Sequence, residues 1–347
     1  KKSRRESLHS SFNLADVHAV CCWQRKLEQQ VRCRRFINRL EANAYYEDAL
    51  QVFGRQGISE PIYDMLLKMG QELPVGLKMR LFYAVSRFMR NNRAKFYEQG
   101  YEVPEAMCFD TLREAVFGET VKQIPDRSNC RIQRDHVEIE LPVRVNWGGG
   151  WTDTPPYCVE HGGMVLNAAL KLNGGYPVRV EVKRLDEYRG EFESVGTGVC
   201  GAAATVAEIL NCRNSHDPLA LPKAALIATG LIPMEEKADL QQILMDLGGG
   251  IRISTRIQEI PMGSGLGTSS ILAGACLQGI YEFLGAPYTI HTISSGVLGM
   301  EQLIATGGGW QDLIGGLVCG IKLITTGPGI EQEPTVEILS VHPEVME

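Results

Sequence analysis

Apolar positions recur with two different periods along this chain. In residues 12–118 they return every three or four positions with Arg and Glu between them, which is typical of amphipathic helices. Pro61 and Pro74 stand where such helices begin. After a polar stretch at 122–134, apolar and polar residues alternate, which predicts a strand. Its apolar members are Val137, Ile139, Leu141, Val143 and Val145.

Strands and helices then mix. The pattern predicts further strands at 178–182, 251–257 and 317–324, and helices at 269–284 and 293–305. The whole predicts an α+β or mixed α/β domain preceded by an all-helical segment. We therefore expect two regions, a helical linker or auxiliary region at 1–125 and a second domain at 126–347.

Glycine and charge divide at the same place. Only 6 of the 37 glycines lie in residues 1–125, and 31 lie in 126–347. The first region carries 20 basic and 15 acidic residues, net +5, and the second 15 and 26, net −11. One arginine-rich run lies in a chain whose net charge is −6, so we expect a solvated helix face and not a nucleic-acid surface. Its members are Arg32, Arg34, Arg35 and Arg39.

Several classes of protein are excluded by composition. No apolar run reaches the roughly 20 residues that span a bilayer, so no membrane association is predicted. The first residues lead into no apolar signal segment, so secretion is not indicated. The 10 cysteines show no C-x-x-C or zinc-ligand spacing, which favours reduced, mostly buried thiols in a cytoplasmic protein.

The alternating glycines in the segment PMGSGLGTSS (261–270) predict a phosphate-binding loop. They let the backbone curl so that N–H groups converge, and the following helix adds its positive N-terminal end. No lysine is present, so Mg²⁺ is expected to offset phosphate charge. The alternative is a plain Ser/Gly turn with Ser269 as helix N-cap. The candidate residues are Gly263, Ser264, Gly265, Leu266, Gly267, Thr268, Ser269 and Ser270.

Two further glycine-rich loops offer charged side chains. In 142–156 a strand that carries Arg144 ends at three glycines, and Asp153 follows them. The Asp153 carboxylate could accept hydrogen bonds from sugar hydroxyls, or it could instead cap an Asx turn. In 306–312 a helix with Glu301 is followed by three glycines and Asp312. One of these two acids could bind a metal ion and the other could accept a proton. The alternative is that Glu301 is an exposed helix residue and Asp312 a turn residue.

Together and in this order, the loops resemble those of the GHMP sugar and metabolite kinases. The segment PMGSGLGTSS is similar to that family's Pro-x-x-x-Gly-Leu-Gly/Ser-Ser-Ser motif. The segments VRVNWGGGWTDTPP and GGGWQD resemble the branch that holds L-fucokinases and heptose-phosphate kinases, and their tryptophans and TDTPP ending favour the fucokinase side. The resemblance covers about 137–325 and implies the GHMP kinase fold (ribosomal protein S5 domain 2-like), with a mixed sheet and helices.

This resemblance implies ATP-dependent phosphorylation of L-fucose at its anomeric hydroxyl, giving β-L-fucose 1-phosphate, with Mg²⁺. Asp312 and Arg144 match the catalytic pair, and Ser269 and Glu301 match the metal-binding residues. Asp153, Trp151 and Thr154 are the matching sugar contacts. ATP and the sugar are the expected partners, and no binding to nucleic acid or membrane is expected. Whether the protein forms a homo-oligomer is left open. Two alternatives remain, a kinase for a heptose phosphate or another hexose, and a truncated nucleotide-binding or regulatory module.

The chain also departs from the family pattern. Leu313 stands where relatives often carry Gln, and Asn146 where many have Asp. The third family motif, a second glycine-rich stretch, is not found, and residue 1 is not Met. We therefore expect a fragment that lacks the C-terminal kinase subdomain and whose substrate site is open on one side.

Overall fold

The computed structural model describes residues 16–42, 45–122, 130–155, 157–214, 216–258, 260–261, 264–304, 308–330 and 332–340. The chain divides into two compact units, Lys1–Leu112 and Arg113–Glu347. The first has no strand among its described residues, and the second mixes strands and helices. The predicted α+β class with a preceding helical segment is thus confirmed, whereas the predicted domain limits at 125 and 126 stay a prediction.

The first unit is built of helices that begin where the sequence predicts. Pro61 lies in the first turn of α3, and Pro74 is the N-cap of α4. The elements are α1 (Val17–Glu41), α2 (Tyr46–Leu50), a 3-10 helix (Gln51–Gln56), α3 (Glu60–Gly70), α4 (Val75–Asn92) and the start of α5 (Glu102–Lys122).

The core of this unit is aromatic and aliphatic. Helix α1 contributes Cys33, Phe36 and Leu40, all buried, and the Phe36 ring meets that of Phe53 edge-on at 5.2 Å between centroids. The four arginines of the basic run are exposed. The basic run therefore lies on an exposed face of α1, and the absence of nucleic-acid binding stays a prediction.

Two sheets are formed by the described residues of the second unit. The five-stranded sheet has the order β1-β4-β7-β5-β6, in which β5 and β7 are parallel and the other pairs antiparallel. The four-stranded sheet, β2-β3-β8-β9, is antiparallel throughout. The strands are β1 (His136–Leu141), β2 (Val143–Gly148), β3 (Gly163–Leu170), β4 (Val178–Leu185), β5 (Gly190–Ser194), β6 (Val199–Ala203), β7 (Gly250–Ile257), β8 (Ile321–Thr326) and β9 (Thr335–Ile338).

Seven helices are described in this unit beyond α5. They are α6 (Tyr157–His161), α7 (Val206–Leu210), α8 (Ala220–Ala228), α9 (Leu240–Leu247), α10 (Thr268–Leu284), α11 (Ile290–Leu303) and α12 (Trp310–Leu317), with a 3-10 helix at Asn211–Arg213. Helix α10 is buried on nearly every side, with Ile271, Ala275 and Phe283 fully enclosed. It lies against β1 and β4 on one side and α11 and α12 on the other.

Two predicted strands were wrong in extent. The alternation from Val137 to Val145 belongs to two strands in different sheets, because Pro142 lacks the N–H that a continuous ladder needs. The strand predicted at 317–324 begins at Ile321, since helix α12 continues to Leu317.

Two predictions about composition are also tested. All ten cysteines are free thiols, but only five of them are buried, so "mostly buried" overstates their burial. No helix in the described part of the chain is long and apolar enough to cross a bilayer.

Candidate active site

Arg144 and Asp312 form a partly buried ion pair between strand β2 and the first turn of α12. Arg144 Nε donates to Asp312 Oδ1 at 2.8 Å, and Nη2 contacts the same oxygen. The two side chains are 11 % and 26 % exposed. Among the described residues no hydrogen bond reaches Asp312 Oδ2. The pair expected from the sequence is therefore brought together, with one carboxylate oxygen still able to accept a proton.

The glycine-rich loop lies directly against this pair. Arg144 Nη1 donates to the carbonyl of Gly265 at 3.1 Å. Gly267 has φ +70° and approaches so closely that an added Cβ would lie 2.8 Å from Asp312 Cγ. Gly267, and not Ser269, is the N-cap of α10, which corrects the alternative of a Ser269 cap.

The other loop residues differ in exposure. Ser264, Gly265 and Ser269 are exposed, Leu266 and Thr268 are half-buried, and Ser270 is buried. Gly263 lies outside the described residues. Because the N–H groups of a helix's first turn have no partner within the helix, the start of α10 offers backbone donors beside the carboxylate of Asp312. This arrangement suits an anion held next to a proton acceptor.

Glu301 is buried behind the loop and pairs with Ser270. It is 5 % exposed, and its Oε1 accepts the Ser270 hydroxyl at 2.5 Å. The sequence expectation joined Glu301 to Ser269, whose side chain is instead exposed. Glu301 Oε2 is buried and has no hydrogen-bond partner among the described residues.

These oxygens fit a magnesium ion. A buried carboxylate oxygen without a partner and a nearby hydroxyl are the hard donors that Mg²⁺ prefers. In the described part of the chain no three His, Cys, Asp or Glu side chains converge on a common metal position. Mg²⁺ commonly takes one or two carboxylates and completes its shell with water and substrate phosphates. Binding of Mg²⁺ by Glu301, with Ser269 or Ser270, stays a prediction.

The pKa of Glu301 supplies a test of its burial. Burial raises this pKa to about 7 from an ordinary 4.5, against the opposing effects of the Ser270 hydroxyl and the Gly308 N–H. Folding therefore takes up a proton between these pH values, and stability falls as pH rises through that window. We expect wild type to lose about 3 kcal/mol relative to Glu301→Gln between pH 4.5 and 7.

Chemical denaturation across this pH range, with a chelator present, measures that difference. Glu337→Gln, which removes an exposed carboxylate on β9, is the matched control and should follow wild type. If the free energy of unfolding changed with pH equally in wild type and Glu301→Gln, the pKa of Glu301 would not be raised by burial.

Asp153 is fully buried and holds the start of α12. Its Oδ2 accepts the backbone N–H of Gln311 at 3.0 Å, and its Oδ1 accepts Gln311 Nε2 at 2.9 Å. Burial raises the pKa of Asp153, opposed by the Gln311 N–H. Sugar binding by Asp153 stays a prediction, and it would require this buried carboxylate to become accessible to a hydroxyl.

Gln311 connects the candidate site residues and was missed by the sequence reasoning. Besides its two bonds to Asp153, its Oε1 accepts Asn146 Nδ2 at 2.8 Å. It therefore joins the loop after β2 to the helix that carries Asp312. Its position beside Asp312 in the GGGWQD segment was the available signal.

The other predicted sugar contacts lie at the edge of this arrangement. Trp151 is 80 % exposed at φ +73°, and Thr154 is half-buried, its N–H donating to the Trp151 carbonyl at 3.3 Å. Within the described residues, neither side chain bonds to Arg144 or Asp312. Their contact with a sugar stays a prediction.

Comparison with known proteins places a family domain on this site. Residues 234–320 match the N-terminal domain of the GHMP kinases. The chain is 34 % identical over 310 residues to an L-fucokinase/L-fucose-1-P guanylyltransferase of Bacteroides fragilis, covering 87 % of this chain and 31 % of that protein. It is 36 % identical over 225 residues to a bifunctional fucokinase/GDP-fucose pyrophosphorylase of Arabidopsis thaliana, covering 64 % and 20 %.

Among solved structures, a D-glycero-D-manno-heptose 1-phosphate kinase of Bacteroides thetaiotaomicron is similar at 20 % identity and a TM-score of 0.45. The match covers 60 % of this chain and 61 % of that one. The chain spans less than a third of the length of the two curated relatives.

Proposed function

Because this chain belongs to the GHMP kinase family, we propose that it transfers the γ-phosphoryl group of ATP to a sugar hydroxyl, as a cytoplasmic sugar kinase. The observation that carries the proposal is the Arg144–Asp312 pair against the glycine-rich loop. Phosphoryl transfer depends mainly on alignment and on stabilising charge, and this point of the fold offers converging donors, a guanidinium and a carboxylate.

Each residue has a defined part in the proposed reaction. The loop from Ser264 and the first turn of α10 bind the phosphates. The sugar oxygen attacks the γ-phosphorus, the bond to the bridging oxygen of ADP breaks, and the hydroxyl proton passes to Asp312 Oδ2. Arg144 fixes Oδ1 and faces the phosphoryl group. Glu301, with Ser269 or Ser270, would hold Mg²⁺, which when bound offsets phosphate charge.

The sugar is proposed to be L-fucose, with β-L-fucose 1-phosphate as product. The support is the similarity to two proteins named as fucokinases and the tryptophan-containing loops that resemble theirs. The second activity named for each relative is not part of this proposal, which rests on the kinase motifs alone. No sugar-specific contact is assigned beyond the predicted set of Asp153, Trp151 and Thr154.

An ADP-release assay with a substrate panel tests this proposal. We expect L-fucose with Mg·ATP to be turned over in preference to D-glycero-D-manno-heptose phosphates and other hexoses, and EDTA to abolish the turnover. A preferred heptose phosphate would overturn the choice of sugar. ATP binding without turnover of any sugar would favour the regulatory module.

A further inference from the structure

Lys322 is a buried lysine that the proposed reaction does not use. It lies on β8, is 0 % exposed, and no acidic side chain in the described part of the chain forms an ion pair with it. Burial lowers the pKa of Lys322 to about 8. A buried charge without a counter-charge is costly, and an apolar residue of similar size would avoid that cost. We therefore expect the Lys322 ammonium group to donate hydrogen bonds that an apolar side chain could not make.

That contact is with the helix that carries Asp312. Lys322 Nζ donates to the carbonyl of Gly315 in α12 at 3.2 Å and to that of Gly320 at 3.1 Å. Carbonyls in the last turn of a helix have no partner within the helix and carry its partial negative charge, so an ammonium group is favourable there. Helix α12 has only eight residues and ends at an extended Val318. Lys322 thus satisfies one carbonyl of its last turn.

The same turn of α12 also supports Arg144. An added Cβ on Gly315 would lie 2.6 Å from Arg144 Cβ and 3.0 Å from Asn167 Nδ2. The carbonyl that Lys322 holds therefore belongs to the residue against which the aliphatic stem of Arg144 packs. A shift of this turn would move both members of the Arg144–Asp312 pair.

Asn167 secures the other end of the helix. It is the cross-strand neighbour of Lys322 between β3 and β8, and it too is 0 % exposed. Its Nδ2 donates to the carbonyl of Gln311 at 3.2 Å, one residue before Asp312. One cross-strand pair thus binds α12 near its beginning and near its end.

We propose that Lys322, together with Asn167, is a positioning residue that locks α12 so that Asp312 and Arg144 face the glycine-rich loop. The catalytic consequence rests on the proposed kinase function, whereas the locking of the helix does not. Neither residue touches the reacting groups, and both act through the backbone of α12.

Amide hydrogen exchange tests the locking directly. In Lys322→Met we expect the amides of 310–317 to exchange about tenfold faster, because a charged hydrogen bond to the helix is lost. The amides of β7, in the other sheet, should keep their wild-type rates. Lys183→Met, which removes an exposed lysine from β4, is the matched control and should change neither segment.

The melting temperature separates positioning from simple stabilisation. Replacing a buried charge by an apolar side chain is often neutral or stabilising, so Lys322→Met should melt no lower than wild type while α12 loosens. Unchanged exchange in α12, or equal acceleration in α12 and β7, would overturn the proposal. If Lys322→Met does not fold, Asn167→Ala, which removes the donor to Gln311, is held to the same outcomes.

Kinetics connects the lock to catalysis. We expect kcat of Lys322→Met to fall about tenfold with little change in KM for ATP, since the phosphate loop is untouched. In an Asp312→Asn background the same substitution should have no further effect on kcat. An undiminished kcat would overturn the catalytic part. If wild type phosphorylates no sugar, the proposed function fails, and the exchange result still decides whether Lys322 locks α12.

Discussion

The Asp312→Asn variant is expected to lose about a thousandfold or more of kcat while still binding ATP. Asn keeps the shape of the side chain but cannot accept the hydroxyl proton at Oδ2. It also removes the negative charge that orients Arg144 through Oδ1. The phosphate loop and the start of α10 are unchanged, so nucleotide affinity should be retained. Single-turnover kinetics and calorimetric titration with ATP measure the two effects separately.

A matched control for this variant is Asp246→Asn, which removes an exposed carboxylate from α9. It should keep wild-type kcat. Turnover at the wild-type rate in Asp312→Asn would remove this residue from the proposed catalytic role. Joint loss of turnover and ATP binding would point to a disrupted loop instead of a missing proton acceptor.

Gly267→Ala should destabilise the site through both its backbone angle and the contacts of the added methyl group. At φ +70° an alanine costs about 1 kcal/mol of backbone strain. Its Cβ would also lie 2.8 Å from Asp312 Cγ and 3.1 Å from Arg144 Nε, and crowding of this kind adds about 2 kcal/mol. We therefore expect a loss of about 3 kcal/mol in the free energy of unfolding and a displaced Arg144–Asp312 pair.

Gly265→Ala isolates the contact from the strain. Gly265 has nearly the same backbone angle, φ +73°, but an added Cβ there meets nothing within 4 Å. Its cost should therefore stay near 1 kcal/mol in denaturant unfolding. If both variants lost the same free energy of unfolding, Gly267 would be needed only for its backbone angle. The close contact between the loop and Asp312 would then have no energetic effect.

The hydrophobic pattern of the sequence predicted which helices and strands the second unit contains better than it predicted where they begin and end. Period-two alternation correctly indicated strands at Val137 and Val178, because one face of each strand is buried. It did not separate β1 from β2, since the alternation passes through Pro142 unbroken. Only the partners of the two strands show that they belong to different sheets.

The sequence predicted which residues form the site better than it predicted how their side chains are oriented. Arg144 and Asp312 are 168 positions apart, and no spacing rule joins them, so their pairing followed from the family resemblance. The choice between Ser269 and Ser270 depends on where α10 begins. With Gly267 as N-cap, the Ser270 hydroxyl turns inward to Glu301. The burial of Lys322 could not be read from its strand, because it arises from α12 packing over the four-stranded sheet.

The single residue between β1 and β2 makes chain length itself a constraint. Leu141 ends in one sheet and Val143 begins in the other, so Pro142 alone carries the chain across. One inserted residue here would slip β2 by one position against β3 and turn Arg144 to the opposite face of the sheet. Insertions and deletions at this crossing should therefore be rarer in natural variation than substitutions.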